Sequence, residues 1–111
     1  MWGVAKAAAP RHRRSSPCGA GNPRRGCFEA NDHALVRYAA LCQEAGLVPS
    51  VEPEVLMDGE HTLERCGHVT EQVLRAVFNQ LYTQQVTLER MILKPNMVLP
   101  GLSCPKQESV E

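Results

Sequence analysis

The 111-residue chain is poor in aromatic side chains: one Trp, two Tyr and two Phe are all it has. With so few rings there is no interleaving of basic and aromatic residues of the kind nucleic-acid modules use. No apolar run approaches the ~18 residues that a membrane-spanning helix needs. The five cysteines, Cys18, Cys27, Cys42, Cys66 and Cys104, form no Cys-x-x-Cys pair. Their odd number and wide spacing argue against a disulfide scaffold and give zinc no ligand pattern. The histidines do not repair this, because no two of His12, His33, His61 and His68 stand at i, i+4. No metal site is expected, and the unpaired thiols suit a reducing, cytoplasmic setting.

Acid is missing from the first 28 residues, which carry six basic residues: Lys6, Arg11, Arg13, Arg14, Arg24 and Arg25. All twelve acids lie in residues 29–111, so the net charge of zero joins two unlike halves. Residues 1–21 are Ala-, Pro-, Arg-, Ser- and Gly-rich without periodicity, and are expected to be unstructured. An organelle transit peptide is disfavoured because Pro10 and Pro17 flank the Arg11–Arg14 cluster and interrupt an amphipathic helix. A basic arm for nucleic acid is the other weak reading.

From Glu29 onward the pattern becomes regular. Ala34, Leu35, Tyr38, Ala39, Leu41 and Cys42 recur at helical spacing, with Asn31 or Asp32 as expected cap and Gly46 as expected stop. Leu47-Val48-Pro49-Ser50-Val51-Glu52 reads as a buried strand, and Asp58-Gly59 as a loop. Thr62 is the expected cap of a second helix, whose apolar stripe runs through Leu63, Cys66, Val69, Val73, Leu74, Val77, Phe78 and Leu81. Val86 to Lys94 reads as a second strand, stopped by Pro95-Asn96. This helix–strand–helix–strand order predicts an α/β fold with parallel pairing.

Three charged residues stand at C-terminal strand ends, where parallel α/β folds place catalytic groups. Glu52 and Glu54 are two apart, so an extended chain points both to one face. Lys94 follows Met91-Ile92-Leu93, and desolvation by such neighbours disfavours an ammonium and frees a nucleophilic amine. Carboxylates nearby oppose that effect and can shuttle protons. The trio fits a Schiff-base lysine with its acid/base partners. It fits a structural ion pair at a sheet rim equally well.

Gly46-Leu-Val-Pro-Ser-Val-Glu52-Pro-Glu54-Val, followed by Asp58-Gly59-Glu60-His61, closely resembles the fifth-strand motif of class I fructose-bisphosphate aldolases. Leu93-Lys94-Pro95-Asn96-Met97-Val98 resembles that family's Schiff-base motif, and the likeness runs from about Gly19 to Glu111. The resemblance implies a fragment of a (β/α)8 TIM barrel: helix 4, strand 5, helix 5 and strand 6. It implies a glycolytic lyase that cleaves fructose 1,6-bisphosphate to dihydroxyacetone phosphate and glyceraldehyde 3-phosphate. Lys94 matches the imine-forming lysine, Glu52 the acid/base carboxylate, and Glu54 the glutamate that tunes charge around the amine. No cofactor or metal is implied; the partners implied are phosphorylated sugars, with homo-oligomers in the family and neither nucleic acid nor membrane.

The departures carry expectations too. Arg11-His12-Arg13 falls where the family has Lys-Trp-Arg on its fourth strand, and an arginine there holds a phosphate but does not shuttle protons. Residues 1–18 are expected to be an unstructured basic leader and residues 19–111 a partial barrel. A shifted or miscalled reading frame is one origin for that leader: Arg14-Ser15-Ser16-Pro17 is what GC-rich codons for Ala-Val-Ile-Ala encode one base later. Ser50 replaces a usual apolar residue, and Arg90 a usual glycine. A complete barrel needs about 250 residues, so the alternative to an active lyase is a catalytically inert aldolase-derived fragment.

Overall fold

The computed structural model describes residues 4–8, 25–107 and 109. Thr62 opens the most regular element, as its sequence predicts. Its Oγ1 accepts a hydrogen bond from the Arg65 backbone N–H at 3.2 Å, capping helix α2, Leu63–Thr83. The Glu64 carboxyl in the first turn is held below the usual range by its own backbone N–H, then by the Thr62 hydroxyl. One face of α2 buries Cys66, Val69, Thr70, Val77 and Leu81. On the wet side, Arg75 forms an i, i+4 ion pair with Glu71 at 2.8 Å.

Helix α1, Arg25–Glu44, begins earlier than expected. Nothing between Cys27 and Ala45 is Gly or Pro, so the helix extends back past Asn31 and Asp32. Those residues are therefore interior rather than capping. Asp32 is only 4% exposed, and its Oδ2 is buried without a hydrogen-bond partner among the described residues. Burial, then the charge of Glu29, pushes its carboxyl up from 3.8 to about 6. At the other end Gly46 takes a φ of 75°, the left-handed conformation that ends the helix.

Among the described residues, three strands form one sheet in the order β1-β2-β3: Val4–Ala8, Val48–Glu52 and Ile92–Leu93. All pairing is parallel. The first strand corrects the expectation of an unstructured start, since Val4 pairs with Val48 and Ala8 with Glu52. Alanine-rich Val4–Ala8 has no strand pattern of its own; the backbone groups on the edge of β2 away from β3 supply the partners. Arg11-His12-Arg13 and the rest of residues 9–18 lie outside the described residues.

The third strand is shorter than the expected Val86–Lys94. Leu88–Arg90 is a 3₁₀ turn instead. The cause is Gln43, near the C-terminus of α1. Its Oε1 accepts from Thr87 N–H at 2.9 Å, and its Nε2 donates to Thr87 O at 2.9 Å and to Arg90 O at 3.1 Å. Both backbone groups of Thr87 are thereby taken from any ladder. Arg90, in that turn, is exposed.

The core unites Leu35, Val36 and Ala39 of α1, Val51 of β2, Val77 and Leu81 of α2, and Val86. Helix α1 packs on β1, β2 and α2. Val51 is the central strand's contribution to that core, so by strand alternation Ser50 and Glu52 point to the opposite face. Burying each Val or Leu contributes about 1.5–3 kcal/mol relative to exposure. Among the described residues, no helix is long and apolar enough to cross a membrane.

Candidate functional site

The register between β2 and β3 pairs Ser50 with Ile92 and Val51 with Leu93. One step further along both strands brings Glu52 beside Lys94. The Lys94 backbone N–H donates to Val51 O at 2.9 Å, which holds the lysine against β2. Its Nζ then lies 3.4 Å from Glu52 Oε2. The other carboxylate oxygen, Oε1, accepts from Ser50 Oγ at 3.0 Å. Ser50, buried in the strand, therefore has a partner for its hydroxyl, and the penalty for an unsatisfied one does not arise. Glu52 is mostly shielded, with 16% of its side chain exposed, whereas Lys94 is 68% exposed.

Two expectations about this trio need correction. Strand β2 ends at Glu52, so the alternation that would put Glu54 on the same face no longer applies. Pro53 is buried and Glu54 is exposed; among the described residues Glu54 makes no hydrogen bond or ion pair. The structure thus brings Lys94 and Glu52 together and leaves Glu54 apart. Lys94 is also not enclosed by its apolar neighbours. Ile92 is 48% and Leu93 36% exposed, so adjacency in sequence does not become a dry pocket, and the amine meets a carboxylate instead.

Around the two charges lies a polar framework that the sequence reading missed. The Asn96 side chain accepts from Val55 N–H at 3.1 Å and donates to Thr70 Oγ1 at 3.3 Å and to Met97 O at 2.9 Å. It joins the segment after β2, the segment after β3 and helix α2. The signal available in sequence was an asparagine beside a strand-stopping proline, a combination typical of side chains that bond local backbone. Buried Cys66 sits at the edge of this network, its Sγ 4.0 Å from Thr70 Oγ1.

A second set of bonds joins the same two segments further out. Gly101 N–H donates to His61 O at 2.8 Å, Leu102 N–H to Met57 O at 2.9 Å, and Ser103 N–H to Gly59 O at 3.0 Å. The approach is close enough that a Cβ on Gly101 would collide with the Gly59 carbonyl. A shallow groove of about 530 Å³ runs along α2 past Gly67, Thr70, Leu74, Phe78 and Val98. Neither Lys94 nor Glu52 lines it.

In chemical terms the site offers a solvent-accessible amine and a shielded carboxylate within reach of one proton. That set can attack a carbonyl and manage the proton transfers that follow.

Comparison with known proteins gives a consistent result. The family described as "Fructose-bisphosphate aldolase class-I" matches residues 10–111. A "Probable fructose-bisphosphate aldolase class 1" of Xanthomonas axonopodis pv. citri is 62% identical over 85 residues, 77% of this chain and 25% of that protein. "Fructose-bisphosphate aldolase C-A" of Danio rerio is 52% identical over 85 residues, covering 77% of this chain and 23% of the relative. Among solved structures, fructose-bisphosphate aldolase from Plasmodium falciparum, in complex with TRAP and a small-molecule inhibitor, superposes with a TM-score of 0.76. That match has 37% identity and covers 96% of this chain and 28% of the other. The chain spans about a quarter of the length of the curated relatives it matches. It belongs to the class I fructose-bisphosphate aldolase family.

Proposed function

We propose, from that membership, that the chain carries the imine-forming portion of a lyase acting on fructose 1,6-bisphosphate in glycolysis. The observation that carries the reading is Lys94 Nζ at 3.4 Å from Glu52 Oε2, at the C-terminal ends of adjacent parallel strands. On this reading the neutral amine of Lys94 adds to the C2 carbonyl of the ketose to give a carbinolamine. Protonated Glu52 gives its proton to the departing hydroxyl, which leaves as water, and a protonated imine forms. That imine accepts the electron pair of the C3–C4 bond as it breaks, while a base takes the C4 hydroxyl proton. Glyceraldehyde 3-phosphate leaves first. Protonation of the enamine and hydrolysis then release dihydroxyacetone phosphate and restore the amine. The electron sink is organic, so the chemistry calls for no metal.

Glu54 is assigned the lesser role of adjusting the field around the amine, from outside the ion pair. In barrel terms, α1 corresponds to helix 4, β2 to strand 5, α2 to helix 5 and β3 to strand 6. Strand β1 stands in the place of strand 4. The partners are phosphorylated ketoses, and the setting is cytoplasmic.

A second reading, a catalytically inert aldolase-derived fragment, is favoured by one specific observation: the 68% exposure of the Lys94 side chain. A solvated ammonium is a poor nucleophile. Incubation of the chain with dihydroxyacetone phosphate, borohydride reduction and peptide mass spectrometry separates the two. A reduced adduct on Lys94, lost in Lys94→Arg, supports retained chemistry. No adduct on Lys94, beside a labelled full-length aldolase control, supports the inert fragment.

A further inference from the structure

The ion pair between Lys94 and Glu52 joins the last residue of β2 to the residue just past β3, where the ladder between those two strands ends. The last bond of that ladder is Lys94 N–H to Val51 O at 2.9 Å; beyond it Pro95 has no N–H to continue the ladder. A lysine side chain with four rotatable bonds and 68% exposure does not hold a fixed position by itself. What keeps the two strand exits in register past that point is Asn96.

Its carboxamide uses both N–H groups and one acceptor site of Oδ1. Oδ1 takes the Val55 N–H, three residues after Glu52, while Nδ2 gives one hydrogen to Thr70 Oγ1 and the other to Met97 O. Thr70 is buried in α2, so the anchor is a helix packed against the core rather than another loop. The outer ties between Gly101 and His61, Leu102 and Met57, and Ser103 and Gly59 are backbone bonds further along the chain. Asn96 is the side-chain tie nearest to Lys94 and the one that also reaches α2. We infer that Asn96 is a positioning residue: by clamping the segment after Glu52 to the segment after Lys94, it holds the amine at the carboxylate. Its consequence for catalysis rests on the reading of Lys94 as the imine-forming lysine; its consequence for geometry does not.

The test uses the full 111-residue chain with Asn96→Ala, Asn96→Asp and Thr70→Val. Asn96→Asp retains an acceptor for Val55 N–H and loses both donations. Thr70→Val removes only the anchor on α2, and circular dichroism establishes which variants fold. Two readouts are taken. The first is acylation of Lys94 by acetic anhydride, relative to Lys106 on the same chain, by peptide mass spectrometry. Loss of the clamp releases the amine from the carboxylate, and the ratio rises about two- to fivefold, the range that an exposed ion pair supports. The rise is absent when Glu52→Gln is already present, because no carboxylate remains to be lost. Thr70→Val gives a smaller rise in the same direction.

The second readout is the rate of borohydride-trapped adduct with dihydroxyacetone phosphate, followed against its concentration. Asn96→Ala lowers the limiting rate about tenfold or more through misplacement of the reacting pair, with a smaller effect on half-saturation. An unchanged acylation ratio in folded Asn96→Asp and Thr70→Val overturns the inference. So does a change that persists undiminished in the Glu52→Gln background, which would make Asn96 a contributor to stability alone. If the unsubstituted chain traps no adduct, the imine reading fails, and the acylation ratio still decides the positioning role.

Discussion

Asp32 gives the sharpest test of the energetics, because its burial is a measurable penalty. The carboxyl sits inside α1, 4% exposed, with Oδ2 unpartnered among the described residues, and its folded-state pKa is raised from 3.8 to about 6. A raised carboxylate pKa means that the folded state binds the proton more tightly than the unfolded state does. Stability from this group is therefore fully present below pH 3.8 and lost as pH rises through about 6. At ~1.4 kcal/mol for each pH unit between those values, the loss is roughly 2–3 kcal/mol. Asp32→Asn keeps the shape and removes the ionisation. The variant is expected to gain that 2–3 kcal/mol relative to the parent between pH 3.5 and pH 7. At roughly 4 °C per kcal/mol for a domain of this size, the difference in Tm widens by about 10 °C across the range. Paired urea titrations or melts at five or six pH values measure it, and other titrations cancel in the difference. A stability difference that stays flat with pH, within about 0.5 kcal/mol, would show that Asp32 is solvated or paired and would refute the reasoning. Glu29→Gln is expected to move the midpoint down by a smaller amount, since burial is the larger cause.

Three further outcomes follow from single contacts. Gln43→Ala removes three bonds to Thr87 and Arg90; it should cost about 1–3 kcal/mol, and hydrogen exchange should quicken over 87–91 before it does in α2. Thr62→Ala deletes the cap of α2 and should lower stability by about 1 kcal/mol, with Thr62→Ser recovering most of it in the same urea titration. Gly101→Ala drives a methyl into the Gly59 carbonyl; the cost should be about 1–3 kcal/mol, and Gly59, Leu102 and Ser103 amide resonances should shift while those of α1 do not.

What could be read in the sequence divides by how far away the deciding partner lies. The cap at Thr62, the stripe of α2 and the turn at Gly46 were legible because each depends on residues within a turn or two. The meeting of Glu52 and Lys94 was legible for a different reason: parallel pairing and strand alternation are regular enough to carry across 42 positions. Strand β1 was not legible, since Val4-Ala5-Lys6-Ala7-Ala8 is a strand only because β2 lies beside it. The shortening of β3 was hidden because Gln43, 44 residues before Thr87, takes the backbone groups that a longer strand would use. Asp32 was misread through a sound local rule, as aspartate favours caps, but the helix had already begun at Arg25.

The same division explains the site. Which chemistry Lys94 can perform is a property of its side chain and is written in the sequence. Whether its amine is dry, ion-paired or solvated is decided by what packs over Ile92 and Leu93, and those side chains are exposed in this chain. The Met91-Ile92-Leu93 run therefore predicted a dry environment that only a covering element can create. Asn96 makes the complementary point. Its identity announces a turn, but its influence comes from Val55 and Thr70, 41 and 26 positions away. Local sequence specifies the reactive groups, and non-local bonds of this kind determine whether those groups are held where they can react.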